Sequence, residues 1–125
     1  MTLAALTPGE VIARRRREQA EFIKLARTFV EGIPAALGVC AAVVIGSTAR
    51  GDFNKWSDID VIVVAQHLPP SAFDRTMALG PRPPGVQCIV WTPEDYARAD
   101  SRRDPITREA IACGVWLVGG PASVV

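Results

Sequence analysis

Apolar residues recur every three or four positions late in the first third of the chain, at Phe22, Leu25, Ala26, Phe29 and Val30. That spacing marks one face of a helix turned toward a core. Thr7, Pro8 and Glu10 mark its start: threonine caps, proline suits the first helical position, and glutamate completes a capping box. Gly32 and Pro34 end it near residue 31. The pattern then changes. Val39–Ile45 is a continuous apolar run and predicts a buried strand. Residues 47–51 predict a short helix or turn. A second strand spans 58–64; after Asp60 it has no alternation, so both its faces should be buried.

Further on, Ser71 caps a helix over 71–79, and a loop with three prolines spans 80–85. Residues 86–91 predict a third strand. Thr92-Pro93 and Asp104-Pro105 each start a helix by the cap-then-proline rule, the second reaching about Cys113. Residues 115–118 form a last strand before Gly119-Gly120-Pro121. Few strands, short connections and alternating helices predict one α/β (α+β) domain over residues 1–125. It should hold a small sheet of about four strands, with helices packed mainly on one face.

Composition narrows the setting. Of 125 residues, 49% are hydrophobic, enough for an ordinary core, and the formal net charge is only +1. That balance gives no general argument for nucleic acid or an anionic membrane as partner, and direct nucleic-acid binding is not expected. Arg14, Arg15, Arg16 and Arg17 read as a solvated collar with Glu18 and Glu21 as local partners, because a helix spreads consecutive residues around its circumference; a patch for nucleic acid or an acidic partner is the minor alternative. No run approaches the roughly 18 apolar residues of a membrane span. The first ten residues lack the basic and apolar regions of a signal peptide. Cys40, Cys88 and Cys113 are scattered in apolar surroundings without zinc-ligand spacing, and His67 is the sole histidine. They read as small buried thiols, and the expected location is the cytoplasm.

The chemistry concentrates in "VVIGSTARGDFNKWSDIDVIVV". Asp58 and Asp60 share one face of a strand, with alpha carbons about 6.6 Å apart. Two anions so close repel, and a divalent cation removes the conflict. Mg²⁺ takes carboxylate oxygens and completes its shell with water and substrate phosphate. Gly46 leaves room for a close ligand, and the Ser47 hydroxyl with nearby free N–H groups can hold a phosphate. If the strands are neighbours, phosphate holder and metal holder face each other. A lone Gly-Ser is an ordinary turn and a lone Asp-x-Asp a solvated strand start; the two together, ten residues apart and flanked by strands, specify far more.

These residues resemble the minimal nucleotidyltransferases of the DNA polymerase beta superfamily, whose pattern is Gly-Ser, ten residues, Asp-x-Asp. "VQCIVWTPEDY" and "REAIACGVWLVGG" look like that family's later strand, its Thr-Pro-Glu helix start and its closing helix-strand pair. The resemblance implies a mixed sheet, a nucleoside triphosphate donor and Mg²⁺ (or Mn²⁺). It implies Asp58 and Asp60 as catalytic metal ligands and Gly46 and Ser47 as triphosphate contacts. Arg50 matches a position often basic or small in the family and is carried over as nucleotide-binding; its plainer role is a surface ion pair, for instance to Asp52.

One departure stands out. The family's third carboxylate, on the next strand, falls at Gln87 when the chains are aligned through "WTPED". An amide oxygen can bind a metal but carries no charge and is no base at neutral pH. General-base help is worth about 10²–10⁴ in rate. Gln87 leaves three readings: a nucleotide-binding relic, a slow enzyme that borrows a carboxylate from Asp52, Glu94 or a partner chain, or a register off by one residue. Two functions therefore stand side by side, a metal-dependent nucleotidyltransferase and a binding module that masks a partner. At 125 residues the chain is not expected to hold an acceptor-binding domain as well, so the acceptor is expected from elsewhere, either a free small molecule or a second protein. The resemblance suggests as acceptor a small helical protein of the HEPN type, a ribonuclease toxin, which Phe53 and Trp56 could contact as exposed aromatics beside the site, although Trp56 could equally pack behind the metal loop.

Overall fold

A computed structural model of the chain describes residues 5–54 and 56–124; residues 1–4, weighed above as part of a leader, lie outside them. Among the described residues five α-helices and four strands follow in order: α1 (Pro8–Glu31), β1 (Val39–Ile45), α2 (Gly46–Arg50), β2 (Ile59–Ala65), α3 (Ala72–Ala78), β3 (Val86–Trp91), α4 (Pro93–Ser101), α5 (Pro105–Cys113) and β4 (Val115–Val118). Local chemistry sets most boundaries. The Thr7 hydroxyl accepts from the Glu10 N–H at 3.1 Å, and Ser71 accepts from the Asp74 N–H at 3.1 Å. At α4 the capping box is complete, with Thr92 and Asp95 each accepting the other's backbone N–H. Among the described residues no helix is long and apolar enough to cross a membrane.

The sheet is mixed, in the order β3-β2-β1-β4. β1 lies antiparallel to both β2 and β4, while β2 and β3 run parallel. The expected class is present, but the helices divide between the two faces instead of gathering mainly on one. Val44, Val61 and Val63 point to Ala26, Phe29 and Val30 of α1. Val43, Ile62 and Val64 point the other way, into a second apolar cluster with Tyr96 of α4 and Ala110 of α5. Successive strand residues face opposite sides, so the unbroken valine run of β2 needs cover on both.

Only the later turns of α1 serve this core. Its 24 residues span about 36 Å, and positions through Arg17 are exposed. Leu25, expected inside, is 38% exposed. The basic collar is solvated only in part. Arg14 pairs with Glu18 at 3.1 Å, as helical spacing suggests. Arg15 instead donates to the Phe53 carbonyl and lies 4.8 Å from the Phe53 ring centre. Gln19 donates its amide to the carbonyls of Thr48 at 2.9 Å and Ala49 at 3.2 Å. α1 thus holds α2 and the loop behind it. Phe53 is correspondingly buried, at 2% exposure, edge-on to Phe22 at 5.1 Å. It is therefore not the exposed aromatic expected from its neighbourhood; Trp56, at 81%, is. The thiols depart from expectation too, since Cys113 is exposed and Cys40 and Cys88 are half-buried.

On the second face, α5 comes close to β1 at Gly114. A β-carbon there would lie 2.4 Å from the Ala110 carbonyl oxygen and 2.5 Å from a Val43 methyl. Neither neighbour is free to move, since one is backbone and the other a core side chain. Gly114→Ala should therefore cost about 1–3 kcal/mol, read as a lower urea midpoint with unchanged slope. A midpoint within error of the native chain would show that this contact does not set the distance of α5 from the sheet.

Candidate active site

β1 and β2 are neighbours, which brings the two halves of the sequence motif together. Ile45, the last residue of β1, pairs with Asp60, the second residue of β2. The chain turns at once into α2, so Gly46 sits beside Asp60 and Ser47 follows it in the first turn of α2. Gly46 adopts φ +76°, and a β-carbon on it would lie 2.9 Å from Asp60 Oδ2. Only glycine meets both the left-handed backbone and the close approach. Asp58 lies just before β2 and is exposed, whereas Asp60 is half-buried. β3 continues the site: Gln87 pairs with Asp60 in the parallel ladder and is exposed. The residue opposite the second aspartate is thus the one that the sequence alignment picked out.

A further acid stands here that the sequence reading did not pick. Glu109, from α5, accepts with Oε1 from the Gly46 N–H at 3.2 Å and from the Arg50 guanidinium. Arg50 also meets Asp52 at 3.2 Å. The ion pair expected between Arg50 and Asp52 is present, and a second one ties α2 to α5. The one signal for Glu109 was helical spacing. It follows Ile106 by three residues and adjoins buried Ala110, so it lies at the edge of the face that α5 turns to β1.

Of the other carboxylates considered as substitutes for Gln87, Asp52 is bound to Arg50. Glu94 starts α4, which follows the far end of β3; Asp60 pairs with Gln87, but Trp91 pairs with Val64. The charge of Glu94 is felt at Cys40, near the start of β1, which is that same far end. A pocket of about 350 Å³ among Arg75, Trp91, Asp95 and Arg98 also lies there, away from the motif.

The family model of the nucleotidyltransferase domain matches residues 23–112. The chain belongs to that family. A solved structure described as a "putative nucleotidyltransferase" from Sulfolobus solfataricus resembles this nucleotidyltransferase domain in fold. The likeness covers 82% of this chain and 84% of that chain, at 24% identity and a TM-score of 0.58. No curated protein matches. The matched region of the domain holds Gly46, Ser47, Arg50, Asp58, Asp60, Gln87 and Glu109 together.

The electrostatics of the domain suit a hard cation at the motif. Burial, then the charge of Asp58, then that of Glu109 push the Asp60 carboxyl above the usual carboxylate range. Among the described residues no three His, Cys, Asp or Glu side chains converge to hold a metal ion. Asp58 and Asp60 with the Gln87 amide fit an ion that draws its remaining ligands from water and phosphate, as Mg²⁺ does.

A raised carboxyl value carries a definite sign. The stabilisation from holding the Asp60 proton is full below the ordinary aspartate value of about 3.9. It is lost as pH rises through the higher native value. In cation-free buffer at pH 7, Asp60→Asn should therefore melt above the native chain, and the gap should close as pH falls below about 4. A lower melting temperature at pH 7 would mean that the charged carboxylate is compensated within the fold.

Proposed function

We propose that this nucleotidyltransferase domain transfers a nucleotidyl group from a nucleoside triphosphate to a hydroxyl acceptor. In this reading Asp58 and Asp60 hold a divalent cation, Mg²⁺ or Mn²⁺, and Gly46, Ser47 and Arg50 hold the triphosphate. The observation that carries the reading is the seat of Asp60 against Gly46, with 2.9 Å left for a missing β-carbon. It puts the acid of one strand beside the Gly-Ser turn that ends its neighbour. A cation held by Asp58 and Asp60 would supply charge neutralisation at phosphate oxygens and a template for in-line attack. The protein's own part is fixed donors: the Ser47 hydroxyl, backbone N–H groups and the Arg50 guanidinium. The acceptor oxygen bonds to the α-phosphorus, the bond to the bridging oxygen breaks, and pyrophosphate leaves. The hydroxyl proton goes to solvent or to a base on the acceptor, because Gln87 cannot take it.

The resemblance noted above favours a hydroxyl side chain on a small helical protein of the HEPN type as acceptor. The exposure of Trp56, two residues from Asp58, supports a contact surface at that rim. A second reading is favoured by one observation, the pairing of uncharged Gln87 with Asp60. In it the domain binds nucleotide or partner with little or no chemistry.

The two readings separate in a labelling assay. The protein, a co-purifying helical partner and Mn²⁺ are incubated with each of four α-labelled triphosphates. Transfer should label the partner, and the double change Asp58→Asn with Asp60→Asn should reduce labelling by about 10³ or more, the several kcal/mol of a metal site. Gln87→Asp should raise the rate by about 10²-fold, if a base is what the site lacks. Labelling that survives the double change contradicts the transferase reading. Partner binding without label in the native chain, with label in Gln87→Asp, selects the second.

A further inference from the structure

We infer that Glu109 is a built-in competitor of the triphosphate, an internal anion that holds the phosphate-binding groups until nucleotide displaces it. The inference rests on the reading of Gly46 and Arg50 as triphosphate contacts. Glu109 Oε1 accepts from both of them, the Gly46 N–H at 3.2 Å and the Arg50 guanidinium. A phosphate oxygen seeking those donors meets them already occupied by a carboxylate oxygen. Glu109 is no substitute for the missing third acid, because it does not converge with Asp58 and Asp60 as a cluster able to hold a metal. Its charge nonetheless reaches Asp60. It therefore adds to the negative field that a triphosphate must enter.

The exchange is possible because the contact is only partly buried. The Arg50 and Glu109 side chains are 42% and 29% exposed, and Arg50 keeps Asp52 as a second partner when Glu109 lets go. Glu109 stands on α5 and Arg50 on α2, so nucleotide that breaks the pair also removes one tie between those two helices. A ligand that must first free its site binds more weakly by the fraction of time the site is free. Removing the competitor removes that loss.

The test is titration calorimetry with each of the four triphosphates and Mn²⁺ against the native chain, Glu109→Gln and Glu109→Ala. Glutamine keeps the size and an acceptor oxygen but not the charge, and alanine removes both. Both variants should bind triphosphate about fivefold more tightly, or better, the worth of one partly exposed ion pair together with lost repulsion. Binding of the parent nucleosides, which carry no phosphate to compete, should not change. Unchanged or weaker triphosphate binding in both variants, with the native chain binding normally, overturns the competitor role and leaves the transferase reading intact. An equal gain for nucleosides overturns it as well. If neither the native chain nor the variants bind any triphosphate, the functional reading falls and this inference with it.

Discussion

A carboxylate can lie this close to a neighbouring strand's end only where the chain leaves that strand through a residue without a side chain. Asp60 and Gly46 meet that condition, with φ +76° at the glycine and a 2.9 Å gap where a β-carbon would stand. The rest of the molecule is arranged around this contact. The antiparallel ladder of β1 and β2 brings the two residues side by side. The parallel ladder of β2 and β3 adds Gln87. Burial on both faces of β2 keeps the frame rigid, with Val61, Ile62 and Val63 fully excluded from water.

Two helices that contribute nothing to the core motif hold its parts in place. α1 reaches past the sheet so that Gln19 can bind the carbonyls of α2, and Arg15 can fix the loop through Phe53. α5 approaches β1 closely enough at Gly114 to bring Glu109 to Gly46. The site is therefore clamped from both faces of the sheet. The same clamping leaves the charges of Asp58 and Glu109 acting on Asp60, while Arg50 pairs with Glu109 and Asp52. Such an accumulation of like charge is a cost to folding, and it is the kind of cost that functional sites carry.

What was legible in the sequence was local. Thr7, Ser71, Thr92 and Asp104 announced their helices because a cap bonds to N–H groups two or three residues away. β1 and β3 fall where their apolar runs begin and end, and β2 within a residue of it. The return of Asp60 to the Gly-Ser turn was legible because a spaced motif encodes a hairpin-like return. Gln87 was found through the resemblance alone. The rest was not legible, because its cause is contact between distant segments. Phe53 sits in a polar loop, and only Phe22 and Arg15, from another element, make it a core residue. Glu109 looks like any charge on an amphipathic helix until α5 is docked. The division of helices between two faces follows from the unbroken run in β2, a signal present in the sequence but outweighed there by the count of short connections.

The central claim is that Asp58 and Asp60 share a divalent cation beside the Gly-Ser turn. It is tested most directly by crystals soaked with Mn²⁺ and a non-hydrolysable triphosphate, with data collected at the manganese absorption edge. The account expects an anomalous peak between the carboxylates of Asp58 and Asp60, with phosphate density against Gly46 and Ser47. Manganese bound elsewhere, or nucleotide density away from that turn with no ion at the two aspartates, would contradict it.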